Sequence, residues 1–340
     1  MTNPVLVDAT RGRLVESVHR GAIAVAGPDG GLLLALGDVA RPVFPRSSLK
    51  LVQALPLVES GAADAFGFTD RELALAGASH SGEAVHVEVA SRMLASAGRD
   101  WHALECGAHE PIDATAARAL HRADASASPL HNNCSGKHAG MIATACFLGE
   151  DPKGYVEPAH PVQERIRAIV AELTGEAMTA DRCGIDGCSV PNWAASLAAL
   201  AGVFARLSSG HGVTAARASA ARRLFAAAIA EPHMLAGTGR YCTRIMTALS
   251  GRVFAKTGAE GFYCAALPDR GIGIALKVDD GAGRAAEIAL GAVLGALLPE
   301  EETRLVPFVS HAIRNVRGIE TGLLRPSPEL IGLLARASRT

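Results

Sequence analysis

The sequence has no surplus of charge of either sign. Its 33 basic and 34 acidic side chains leave a formal net charge of -1. No extended basic stripe interrupts that balance, which argues against nucleic acid as a partner. No apolar run is long enough to span a bilayer. The best candidate, residues 288–298, has about half of the roughly 20 residues required. The opening MTNPVLVDATRGRLVES lacks the basic segment and apolar run of a secretory signal. The expectation is a cytoplasmic protein that makes no use of a membrane. Seven cysteines, an odd number scattered along a large chain, argue against a disulfide framework. No repeated C-x-x-C marks a zinc site, no G-x-x-x-x-G-K-[ST] marks a nucleotide loop, and no repeat of 20–50 residues marks a solenoid.

What is present suits a compact globule: 49% hydrophobic and 20% charged residues with many glycines. Two β-prone runs, residues 15–26 and 32–36, flank Pro28-Asp29-Gly30-Gly31, a hairpin signal. From Ser47 a helical pattern begins with a serine in the cap position. Thr69-Asp70-Arg71-Glu72 fits a capping box that opens a short helix ending near Gly77. Further helices are expected at 83–97, 137–147, 161–173, 193–207 and 215–230. Strands are expected to return at 253–256, 261–267 and 272–278, followed by a last long helix at 285–298. This order implies an α+β fold, an antiparallel sheet flanked by helices with a mostly helical middle. We expect one catalytic unit over 1–340, with a mainly helical subregion at about 69–250 packed against a sheet of N- and C-terminal strands.

Three short segments carry chemistry. Ser47-Ser48-Leu49-Lys50 is an S-x-x-K pattern at a helix start, where positions three apart share a face. A lysine becomes a base when burial and a second cation depress its pKa. Lys256, in Lys256-Thr257-Gly258 on an expected strand, is the candidate second cation. Ser79-His80-Ser81-Gly82-Glu83 lies between them. S-x-x-K, a central serine loop and K-T-G on a late strand follow the layout of serine β-lactamases and penicillin-binding proteins. The central element departs from S-D-N, so a β-lactam substrate is not implied. Each residue also has a plainer reading: Ser47 as a helix cap, Lys50 as a solvated amine, Lys256 as a strand-edge charge.

Cys134-Ser135-Gly136-Lys137-His138 and Asp186-Gly187-Cys188 form a second group. Two thiolates can bind zinc, and the plainer reading is a pair of small buried thiols. The other cysteines read as buried thiols. His131 and His138 stand out among the histidines because they lie in this polar loop.

Together these segments resemble the rhizobial-type L-asparaginases, the asparaginase II family, within the serine β-lactamase and glutaminase-like superfamily. The matching stretches are VESVHRG from Val15, PRSSLK from Pro45, ASHSGE from Ala78, HNNCSGKH from His131, GIDGC from Gly184 and KTGAEG from Lys256. They span almost the whole chain. The resemblance implies hydrolysis of L-asparagine to aspartate and ammonia by two serine–lysine pairs, Ser47 with Lys50 and Ser79 with Lys256. It implies a zinc ion held by Cys134, Lys137 and Cys188 beside the active centre, and a homodimer. Arg46, His138 and Asp186 are the candidates to hold the substrate's α-carboxylate and α-ammonium. The alternatives are a glutaminase or other small-amide hydrolase on the same scaffold, or a non-catalytic zinc-binding metabolite sensor.

Overall fold

The computed structural model describes residues 2–337. Its centre is an antiparallel sheet of eight strands: β1 (Val5–Arg11), β2 (Leu14–Ala26), β3 (Leu32–Leu36), β4 (Phe254–Thr257), β5 (Phe262–Leu267), β6 (Ile272–Val278), β7 (His311–Arg314) and β8 (Glu320–Pro326). Their order is β7-β8-β1-β2-β6-β5-β4, with β3 also paired to β2. The long strand β2 joins the two halves, since its early residues pair with β1 and its late ones with β6 and β3. Strands from both ends of the chain therefore complete one sheet. The hairpin forms at the expected turn, with Ala26 opposite Leu32.

Every residue of β5 is buried, which requires cover on both faces of the sheet. The helix Leu197–Ser209 packs on β2, β5 and β6, and the helix Gly283–Leu297 on β1, β5, β6 and β8. Gly273 permits the first contact. A Cβ there would stand 2.2 Å from the Ala201 carbonyl oxygen and 2.3 Å from the Ala205 nitrogen, so only glycine lets that helix lie directly on β6.

The fold class is α+β with a mostly helical middle. The Thr69 capping box forms and the helix it opens ends at Ala76, with Gly77 as its cap. Helices Ala84–Ser96, Ser135–Phe147, Pro161–Thr174 and Ala215–Ala230 stand within two residues of their expected bounds. Three expectations need correction. The helix placed at 193–207 starts at Leu197, because Pro191–Trp193 pairs with Cys183–Ile185 and Ala195–Ser196 with Pro42–Val43; long-range pairing overrides the apolar pattern. The helix at 285–298 is not the last, since β7, β8 and the helix Pro328–Ala337 follow it. No serine caps the first helix: Pro45 occupies the cap position and makes no side-chain bond. Among the described residues no helix is long and apolar enough to cross a membrane. All seven cysteines are free.

Candidate active site

The chain turns at Pro45 into one 3-10 turn, Arg46–Leu49, which runs on into the helix Lys50–Gln53. Arg46 sits at φ 51, in the left-handed region that costs a residue with a Cβ roughly 1–2 kcal/mol. Its guanidinium holds the conformation by donating from Nε and Nη2 to Asp186 Oδ1 at 3.0 and 2.8 Å. Burial would raise the Asp186 pKa, yet the Arg46 hydrogen bond and the Lys137 and Arg46 charges outweigh it and hold the carboxylate low. The two proposed substrate-binding residues are thus bound to each other. Arg46 also borders a cleft of about 410 Å³ whose walls include Phe44, Glu260 and Lys277.

A second contact ties the turn to β4. Ser48 Oγ donates to the Lys256 carbonyl at 2.9 Å. A Cβ on Gly258 would stand 2.6 Å from the Pro45 carbonyl oxygen and 3.1 Å from Ser48 Oγ. The glycine of K-T-G therefore makes room for the serine turn itself, a tighter requirement than the open strand edge that the motif suggests.

Ser47 is half-buried and its hydroxyl makes no hydrogen bond among the described residues. Its backbone N–H, at the start of the turn, has no acceptor there either, as expected of a helix N-terminus. Lys50 is 1% exposed, which excludes the solvated-amine reading. Its Nζ donates to the Ala78 carbonyl at 2.6 Å, Ser79 Oγ at 2.7 Å and the Asn133 carbonyl at 3.4 Å. The bond that forms therefore crosses the two expected pairs, joining Lys50 to Ser79. A neutral amine has two hydrogens, and two of these neighbours are carbonyls that can only accept. In that form the lone pair is left facing the Ser79 hydroxyl.

The loop around Ser79 is fixed by its neighbours. Ser79 N–H donates to the Leu235 carbonyl and His80 N–H to the Asn133 carbonyl. His80, fully buried, accepts the Gly82 N–H at Nδ1, and its Nε2 lies 2.9 Å from Ser135 Oγ. Burial is the main cause that pushes its pKa well down. Asn133 is held in turn by His109 Nε2, which accepts its N–H at 2.9 Å.

Lys256 is also 1% exposed, so it is no strand-edge charge. Among the described residues its Nζ donates only to the Thr257 carbonyl, at 3.2 Å. Burial, then the nearby positive charge of Lys50, pushes its pKa down to about 7. Neither lysine forms an ion pair with a carboxylate among the described residues.

The cysteine group converges from two elements. Cys134, Lys137 and His138 sit on the first turns of the helix Ser135–Phe147 and the residue before it, at the i, i+3, i+4 spacing of one face. Cys188 comes from the loop between the two short strands. Lys137 Nζ donates to Cys188 Sγ at 3.0 Å, with both groups buried. A hydrogen bond from Cys188 holds the Cys134 thiol well below its ordinary pKa, while Cys188 itself is raised by sharing that proton. The Lys50 charge also lowers Cys134, so this group adjoins the serine–lysine cluster. Lys137 is kept charged by the two sulfurs and Asp186 against the pull of burial. Two sulfurs gathered round a buried cation, beside the unpartnered buried Nε2 of His138, suit a small thiophilic cation.

A different trio, Glu83, His86 and His233, also brings ligand-type atoms within 4.8 Å of one another. Its atoms are already engaged. His86 accepts the Glu83 N–H and its Nε2 pairs with the His233 carbonyl, while Glu83 accepts from Thr238. His131 likewise accepts the Ser128 N–H in a local cap. Ala78 and Asn133 lie inside the matching stretches, but their roles are hidden because they act through their carbonyls, and Tyr155 lies far from any motif.

The family described as L-asparaginase II matches residues 7–326. No curated protein matches the chain. Among solved structures, a Mycobacterium bovis β-lactamase is 16% identical, with 83% of this chain and 94% of that one covered and a TM-score of 0.44. Mglu in its native form is 17% identical, covering 88% and 68% at 0.44. A D-alanine carboxypeptidase from Burkholderia cenocepacia is 13% identical, covering 80% and 93% at 0.39.

Proposed function

This chain belongs to the L-asparaginase II family, an asparaginase-type hydrolase, and we propose that it cleaves the side-chain amide of L-asparagine through a serine nucleophile activated by lysine. The observation that carries this reading is the pair of buried amines, Lys50 bonded to the Ser79 hydroxyl and Lys256 on the strand tied to the Ser47–Ser48 turn, with no carboxylate paired to either among the described residues. A buried amine without a counter-ion is costly to keep charged, and the Lys256 pKa is pushed down to about 7 for that reason.

Ser47 Oγ attacks the amide carbon while its proton passes to Lys50. The Ser47 N–H, which has no acceptor among the described residues, stabilises the oxyanion. The tetrahedral adduct collapses as the C–N bond breaks, and a proton relayed by Ser79 and Lys256 to the nitrogen releases ammonia. Water then cleaves the β-aspartyl ester. Arg46, at the rim of the cleft, and its partner Asp186 offer a cation and an anion for the substrate's α-groups. The Lys50–Ser79 bond supports a second reading in which Ser79 is the nucleophile. Ammonia release from L-asparagine, compared with L-glutamine, tests the activity and its selectivity, since one methylene is worth only about 1–3 kcal/mol.

The Lys256 amine gives a pH signature. With its pKa near 7, it is protonated below that pH and neutral above it. The kcat profile is expected to fall on the acid side with a midpoint near 7, and Lys256→Met should abolish that limb along with most of the rate. An acid limb unmoved in the variant's residual activity would contradict the assignment.

Cys134, Lys137 and Cys188 would hold zinc, which supplies a fixed positive charge that orients substrate or braces the loop. Lys137 must lose its proton to join such a site, so retention should weaken in acid. Cys188→Ser is expected to lower the zinc content of purified protein at least tenfold by elemental analysis. Unchanged content would remove the site from the account.

A further inference from the structure

His138 is buried beside the sulfurs, and the hydrogen-bond count around it fixes where its proton sits. Tyr155 and His138 are both 0% exposed. The Tyr155 hydroxyl oxygen accepts the Glu105 N–H at 2.9 Å and lies 2.6 Å from His138 Nδ1. The phenol has one proton to donate, and Nδ1 is its only other partner among the described residues. If Nδ1 carried a hydrogen, the phenol proton would be buried without an acceptor, an arrangement folded proteins avoid. Nδ1 is therefore the acceptor, and the ring's hydrogen belongs on Nε2.

That Nε2 has no partner of ordinary hydrogen-bond geometry. The group within its reach is the Cys188 side chain, whose pull on the ring opposes the effect of burial. The same sulfur already accepts from Lys137 Nζ at 3.0 Å.

Building on the zinc reading above, we propose that Tyr155 and His138 are positioning residues for the sulfur cluster. The phenol sets the imidazole tautomer, and the Nε2–H faces the Cys188 sulfur, which it orients towards a divalent thiophilic cation. His138 then neither ligates the cation nor touches the amino-acid substrate. This departs from the substrate-holding role that the family resemblance suggested for it. A donor fixed on a ligating sulfur orients it, and removing such a partner lowers metal affinity about 10–100-fold.

Three readouts on the full-length chain test this. In ¹⁵N-histidine NMR of the metal-free protein, His138 should be the Nε2–H tautomer; an Nδ1–H signal overturns the proposal. In competition with a chromophoric chelator, Tyr155→Phe and His138→Met should weaken Zn²⁺ binding roughly 10–100-fold, and His138→Gln, which keeps an N–H donor near the Nε2 position, should recover most of it. With Co²⁺ in place of zinc, the sulfur-to-metal absorption of both weakened variants should persist, because the ligands are unchanged. Loss of binding in His138→Met as complete as in Cys188→Ser would make His138 a ligand and overturn the proposal. Wild-type affinity in Tyr155→Phe and His138→Met, with zinc bound normally, would overturn it alone. A wild-type chain that takes up no zinc would overturn the metal reading and this inference with it. Thermal unfolding of each metal-free variant guards against a general loss of fold.

Discussion

Replacing Ser47 by alanine is expected to lower kcat on L-asparagine roughly 10³- to 10⁶-fold, the range seen when a nucleophile is removed from a serine hydrolase. It should leave KM within a few-fold and stability almost unchanged. The stability half of this expectation is unusually firm. The Ser47 hydroxyl makes no hydrogen bond among the described residues and is half-buried, so its loss should fall within about 0.5 kcal/mol. Ser79→Ala provides the contrast. It takes away a hydroxyl bonded to the buried Lys50 amine at 2.7 Å, and stranding a buried donor costs about 1–3 kcal/mol. Ser79→Ala should therefore lower both the rate and the melting temperature, whereas Ser47→Ala lowers the rate alone. Full activity in Ser47→Ala would pass the nucleophile's role to Ser79.

Lys50→Met should cost roughly 10²–10⁴-fold in kcat, the usual worth of a positioned general base. Methionine keeps most of the aliphatic stem and its packing. The chemistry lost is the amine. The Asn133 carbonyl retains the His80 N–H, so only the Ala78 carbonyl and Ser79 Oγ lose their lysine contact outright. A second effect separates this variant from a merely misfolded one. The Lys50 charge is one of the causes that lower the Lys256 pKa, so removing it should move the Lys256 titration upward in NMR of ¹³C-labelled lysine. A Lys256 titration that stays near 7 in Lys50→Met would show that the two amines do not share one site.

Much of this was legible in the residue order, because the features concerned are local. The Asp29-Gly30 hairpin, the Thr69 capping box and the strand at 272–278 depend on neighbours a few positions away, and each forms as read. The Trp193 strand was not legible, because its partner Cys183 lies on the far side of a loop and apolar residues suit either state. Strands β7 and β8 were missed for the same reason: β8 exists by pairing with β1, more than 300 residues away. At the site, the residue types were readable and their partners were not. The motifs named Ser47, Lys50, Ser79 and Lys256, but spacing favoured Ser47 over Ser79 as the neighbour of Lys50. The fold brings the Ser79 loop across to that amine. Arg46 and Asp186 were singled out separately, and the fold turns them into a bonded pair that props a strained backbone. Tyr155 gave no pattern at all, since its role depends on the His138 ring that it meets through the fold.

The most direct measurement is a rapid acid quench of the purified full-length chain turning over L-asparagine, followed by proteolysis and mass spectrometry. The account predicts ammonia release together with one aspartyl group esterified to the peptide that carries Ser47. Ammonia release with no ester on Ser47 or Ser79, or no release of ammonia at all, would contradict it.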